Sequence, residues 1–323
     1  MPGVKRNSLG RRVRSPMSPI SFTNVFYVKL GRGGAWEADS IQSGRLRLGW
    51  SHQSIEDINA RQWDLIAEQL RGEHKGKPQV ATNDLNRLRD IVQSGADDLW
   101  ITFHHAKLWW TRLAPGPVER DATSKFRRTR QPWSDRSENG RLLVMNELPG
   151  RIAQLQGFRG TVCRVQHTDL LQRVLEGSRS PLSSEIASQR AILAGHLGKA
   201  IAELHWKDFE TLVDLVFRDS GWVRVSVLGQ HAKAYDLELR EPITGDRYVV
   251  QVKSRATLAD LEATVSNFSP DDYRRVFFVV HSPAQDLTTA ENLPEHVEIV
   301  SPAHLAELAV DAGLANWIED KVA

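Results

Sequence analysis

The chain has 323 residues, 41% hydrophobic, 25% charged and 7% aromatic, which is a globular composition in a length that predicts two domains. No run approaches the roughly 20 apolar residues of a membrane span, and one cysteine, Cys163, excludes an intramolecular disulfide framework and a Cys-based zinc site. The net charge of +2 divides unevenly: residues 1–180 hold 29 Lys and Arg against 18 Asp and Glu, a net of +11, and residues 181–323 hold 13 against 22, a net of −9.

A basic surplus confined to one half is the footprint of a domain that meets a polyanion. Residues 1–21 are basic, rich in proline and poor in apolar side chains, and read as a disordered arm. No apolar stretch follows in the manner of a secretory leader, so a cytoplasmic location is expected, with no membrane partner. Strands are predicted at 24–30 and 45–50, separated by the glycine run Gly31-Arg32-Gly33-Gly34. Helices at 54–71 and about 83–94 follow, then strands at 99–103 and 107–113, an Arg-rich polar stretch at 114–141, and short strands to about residue 166. Gly177, Ser178, Ser180 and Pro181 mark a linker within 168–199, with a connecting helix at about 184–200. Residues 200–323 read as a helix at 206–219, strands at 222–228, 234–240 and 247–253, a helix at 257–266, strands at 276–281 and 297–300, and a final helix near 302–320.

In this second part, Asp236 lies in one strand and Gln251 and Lys253 in the next. Side chains two apart on a strand share a face, so Gln251 and Lys253 point together while Val250 and Val252 enter the opposite layer. An amide and an ammonium on an otherwise apolar strand suit phosphodiester hydrolysis with a hard divalent cation. Asp236 and Gln251 would supply oxygen ligands, Glu210 on the preceding helix a third, and Lys253 would position or deprotonate the attacking water. Glu238 shares the face of Asp236 and reads as an exposed strand carboxylate or an accessory ligand. The series Phe209-Glu210, Asp236, Gln251-Val252-Lys253 resembles the PD-(D/E)xK nuclease core in its Mrr-like form, over about residues 200–310. The resemblance implies a restriction-endonuclease-like α/β domain, with a mixed central sheet flanked by helices, that cuts DNA with Mg2+, for which Mn2+ can substitute. Tyr235 departs from the Pro or small residue that many members carry before the acid.

Seven of the ten tryptophans fall within residues 1–133. Trp63 has core spacing in its helix. Trp36, Trp50, Trp100 and Trp109 are candidates for an aromatic pocket that stacks on an unpaired base. Arg32, Lys125, Arg127, Arg128 and Arg130 are candidates for DNA-backbone contacts. The segments Val28–Glu37, Leu48-Gly49-Trp50 and Asp97–Phe103 resemble the PUA-like group that includes EVE and YTH modules. Over residues 22–167 that resemblance implies an α+β domain built on a small β-barrel, holding a flipped and often modified base.

Together these features read as a modification-dependent DNA endonuclease acting against foreign DNA, with double-stranded DNA as partner. A homodimer is expected, because two strands need two active sites. The alternatives are a non-catalytic nucleic-acid-binding protein on a nuclease-like scaffold and an RNA- or structure-directed nuclease.

Overall fold

The computed structural model describes residues 20–225, 235–288 and 293–323. Most of the basic arm, residues 229–234 and the end of the strand predicted at 222–228 lie outside these residues. The chain divides into two units, Met1–Ser180 and Pro181–Ala323.

The first unit opens with β1 (Val25–Val28), in which all four residues are buried, the pattern of a strand covered on both faces. It continues through α1 (Glu37–Ser43), β2 (Arg45–Leu48), α2 (Ile55–Asn59), α3 (Trp63–Glu73), α4 (Pro78–Val92), β3 (Leu99–His104) and β4 (Lys107–Arg112). The helix predicted at 54–71 is therefore two helices, and Arg61, in a left-handed conformation with φ 56°, separates them. Then come β5 (Glu119–Arg120), β6 (Lys125–Arg128), α5 (Gly150–Ala153), β7 (Val162–Arg164) and α6 (Thr168–Glu176). One sheet runs β4-β3-β1-β7, with β1 parallel to β3, and a second runs β2-β6-β5. Among the described residues the two sheets form no closed barrel, because beyond β4 the pairing toward β6 shrinks to the isolated bridge Leu113–Thr129.

Two cores sandwich the larger sheet. Phe26, Val28 and Trp100 pack with Leu70 and Leu88 of the helices on one side, and Tyr27, Ile101 and Trp110 pack with Leu171 and Leu175 on the other. The segment 168–176, predicted as linker, is thus a helix of this unit, held by Leu171 and Leu175. The segment 114–141 is not a free loop either. It contributes β5 and β6, and β6 pairs antiparallel with β2 from Arg45–Arg128 to Leu48–Lys125.

That pairing buries charge. Arg47, 3% exposed, donates to Asp121 at 2.9 and 3.0 Å, to the Ser124 hydroxyl at 3.1 Å and to Asp39. The Asp121 carboxyl is held well below the usual carboxylate range by Arg47, with the backbone N–H groups of Ser124 and Thr123 adding to it. A depressed carboxyl stabilises the fold above its unfolded pKa, about 3.9, and the contribution is lost as the pH falls below that value. Thermal melts between pH 7 and pH 3 should therefore show the first unit losing stability below about pH 4. Asp121→Asn should flatten that part of the profile, and an unchanged profile would remove Asp121 from the account.

The second unit contains α7 (Pro181–Glu203), α8 (Trp206–Asp219), β8 (Val223–Arg224), β9 (Leu237–Arg240), β10 (Arg247–Ala256), α9 (Leu258–Val265), β11 (Arg275–Pro283), α10 (Gln285–Thr288), β12 (Val297–Val300), α11 (Pro302–Asp311) and α12 (Ala315–Val322). Its five-stranded sheet runs β12-β11-β10-β9-β8. β10, β11 and β12 are parallel, while β8, β9 and β10 form an antiparallel meander. Leu197 and Ile201 of α7, Phe209, Leu212 and Val216 of α8 and Leu305 of α11 share one core with Val250 and Val279. The opposite face carries Val249 and Val276 with Phe268. The final helix predicted near 302–320 is two, turning at Gly313 with φ 73°.

Candidate functional site

The β9–β10 ladder pairs Leu237 with Val250 and Glu238 with Val249. Extending that register by one residue sets Asp236 directly across from Gln251. The Gln251 side-chain amide donates to Asp236 Oδ2. The Val252 backbone N–H donates to the same oxygen at 2.7 Å, and the Asp236 N–H donates to the Val250 carbonyl at 3.2 Å. Gln251 is 8% exposed. Strand alternation turns Lys253 to the side of Gln251, while Val250 and Val252 join the α7–α8 core. The hairpin thus gathers a carboxylate, an amide and an ammonium at the Asp236 end of the β9–β10 pairing.

Neighbouring side chains hold this end of the hairpin. Tyr235 donates its hydroxyl to Glu238 Oε2 at 2.8 Å, and Arg247 donates to Glu238 Oε1. Glu238 is buried, so it is an internal acceptor and not an exposed strand carboxylate. Its hydrogen bond with Tyr235, together with burial, raises the phenol's pKa. Tyr235, at the position where the Mrr-like resemblance expects Pro or a small residue, anchors the chain one residue before Asp236.

Glu210 sits on the exposed side of α8, one residue past the buried Phe209, and α8 lies against β10 and β11. Among the described residues no group of three His, Cys, Asp or Glu side chains is placed to hold a metal. The donor set nevertheless fits a hard cation. Asp236 and Gln251 offer one carboxylate and one amide oxygen, and Mg2+ commonly takes one or two carboxylates and keeps its remaining positions for water and phosphate.

Residues 201–308 match the family model Mrr_cat, described as restriction endonuclease. Among solved structures, the chain is similar to the DNA modification-dependent restriction endonuclease AspBHI, at 11% identity over 69% of this chain and 68% of that one, with a TM-score of 0.32. It is also similar to the MspJI restriction endonuclease in complex with a 27-mer oligonucleotide, at 14% identity over 87% and 72%, with a TM-score of 0.27. No curated protein matches the sequence.

The first unit has a cavity of about 520 Å³ lined by Lys29, Gly31, Arg32, Trp36, Arg47 and Arg159, among others. Among the described residues Lys29, Arg32 and Arg159 are in no ion pair, and no acidic side chain lines the cavity. Gly31 has φ 84°, and a Cβ there would meet the Trp36 ring at 3.0 Å, so this glycine lets the indole lie against the backbone. Of the four tryptophans predicted for a base pocket, Trp36 lines this cavity. Trp100 does not. It is 0% exposed, stacked on Phe26 at 4.8 Å and hydrogen-bonded through Nε1 to Ser94. Trp50 and Trp109 are partly buried against the same core.

The predicted backbone contacts divide in the same way. Arg32 faces the cavity, and Arg130 is exposed. Arg128 is exposed but forms a two-pronged pair with Glu119 at 2.7 Å. Lys125 and Arg127 are 3% and 4% exposed, so neither projects from the surface as a backbone contact. The Arg127 guanidinium donates to the carbonyls of Ile91, Val92, Ser94 and Ala114, closing the C-terminal end of α4, whose last carbonyls have no partner within the helix. Lys29, Arg159 and Gly160, not singled out from the sequence, join the cavity because β7 pairs with β1. No short-range signal links residue 29 to residue 159.

Proposed function

We propose that the protein is a divalent-metal-dependent DNA endonuclease that selects duplexes carrying modified bases, in defence against foreign DNA. The observation that carries the nuclease reading is the cross-strand pair Asp236–Gln251 with Lys253 on the same face, within the segment that matches the restriction endonuclease family. A bound Mg2+ or Mn2+, held by Asp236 and the Gln251 oxygen with Glu210 acting directly or through water, would neutralise charge on the scissile phosphate. Lys253 donates to the attacking water or the phosphate and stabilises the charge that develops there. The Val252 N–H fixes the carboxylate of Asp236, and Tyr235 and Glu238 fix the strand that bears it.

The cationic cavity beside Trp36 supports the base-reading half of the proposal. Lys29, Arg32 and Arg159, in no ion pair among the described residues, suit a phosphate backbone, and an indole wall suits an unstacked base. Homodimerisation belongs to the same reading, since each site cuts one strand.

The test is cleavage of matched duplexes bearing unmodified, methylated, hydroxymethylated or glucosylated cytosine, with Mg2+ or with EDTA. Cutting of one modified class, abolished by EDTA, is the expected result. Equal cutting of all four would remove the reader from the proposal. Tight binding without cutting would leave a DNA-binding protein on a nuclease scaffold.

A further inference from the structure

A second, smaller cavity of about 120 Å³ adjoins the cationic one, and Trp36 and Gly49 line both. Its other walls are Leu48, Ser51, Arg120, Thr123, Ser124 and Lys125, with no acidic side chain. Its size is informative, since an apolar cavity of about 150 Å³ accommodates benzene. About 120 Å³ with an open side is therefore on the scale of one six-membered ring.

Lys125 is the unusual group here. Among the described residues its ammonium, with three donors, meets two acceptors, the carbonyls of Trp50 at 2.8 Å and Ser51 at 3.4 Å. Burial and then the nearby Arg120 lower its pKa, against the opposing charge of Glu56, and among the described residues no carboxylate forms an ion pair with it. Two positions along β6, the equally buried Arg127 reaches four carbonyls. Burying a cation short of partners is costly, and the shortfall is removed if something entering the cavity supplies the missing acceptor.

We propose that Lys125 is the residue that reads the base: an extruded pyrimidine enters the smaller cavity against Trp36, and Lys125 Nζ donates to a ring carbonyl oxygen or an unprotonated ring nitrogen. The wider cavity then holds the flanking phosphates through Lys29, Arg32 and Arg159. This inference rests on the base-reading half of the proposed function and adds the ring class and the reading residue.

The test measures affinities of the full chain for duplexes of one sequence containing cytosine, 5-methylcytosine, 5-hydroxymethylcytosine, its glucosylated form or N6-methyladenine, at several salt concentrations. Lys125→Met and Gly49→Val are compared with the wild type. Gly49 has an ordinary φ and a Cβ there meets nothing within 4 Å, so the valine fills the cavity without straining the backbone. Both variants should lose the wild-type preference for a modified pyrimidine by about tenfold or more, with the salt dependence kept. A uniform loss on all duplexes with a salt slope shallower by about one would make Lys125 a phosphate contact and overturn the assignment. Preference retained in both variants would overturn it too, as would wild-type preference for the modified adenine. A wild type that favours no modified duplex would instead defeat the base-reading proposal itself.

Discussion

Replacing Lys253 with methionine is expected to lower the cleavage rate by at least about 100- to 1,000-fold, the cost of removing one donor aimed at developing charge, with the fold and DNA binding retained. Methionine keeps the length of the stem and removes the ammonium. Because the Val250 and Val252 side chains, and not Lys253, fill the core behind the strand, the melting temperature should stay near that of the wild type. Asp236→Asn is the partner experiment. Asparagine can still accept the Val252 N–H that now reaches Asp236 Oδ2 at 2.7 Å, so the hairpin keeps its shape while the carboxylate charge is lost. Cleavage should fall at least as far as with Lys253→Met. Single-turnover rates at saturating protein, together with a binding isotherm for each variant, separate loss of chemistry from loss of affinity. Near-normal rates in either variant would mean that the hairpin is not the active site.

The second large effect concerns stability. Trp100→Ala should destabilise the first unit by about 3–5 kcal/mol, the usual cost of emptying a buried aromatic site. The ring is fully enclosed, stacks on Phe26 and satisfies its indole N–H at Ser94, so removing it leaves a cavity and an unpaired hydroxyl. In a domain of this size the shift is roughly 6–20 °C in Tm. Trp36→Ala, at the wall of both cavities and only partly buried against the core, should lower Tm less than Trp100→Ala and weaken binding to modified duplexes. Equal melting temperatures for Trp100→Ala and the wild type would return Trp100 to the pocket.

The geometry of the candidate-site hairpin was legible in the sequence because its logic is local. Asp236 and Lys253 are 17 positions apart and joined by one short turn, and period-two alternation decides which side chains share a face. The helix at 206–219, the strands at 276–281 and 297–300 and the change in charge near residue 180 were legible for the same reason, each being carried by contiguous residues. The elements whose positions depend on distant partners were misread. Polar composition made 114–141 look like a loop, yet pairing with β2 turns its centre into a strand and buries Lys125 and Arg127. Ser and Gly made 168–184 look like a linker, yet Leu171 and Leu175 find a core on the far face of the β1–β3 sheet.

Sequence by itself therefore determined the chemistry available to this protein: a carboxylate, an amide and a lysine on two neighbouring strands of one hairpin, and a first half rich in cations and tryptophan. Tertiary structure decided which of those groups are free to use it. A charge or an indole is defined by its residue, but its exposure is set by what packs against it, and burial turns a cation into an internal donor. Arg127 closes a helix, Trp100 fills a core and Glu238 holds a tyrosine and an arginine, whereas Trp36, Arg32 and the unforeseen Arg159 line one cavity because residues far apart in the chain meet across β1 and β7.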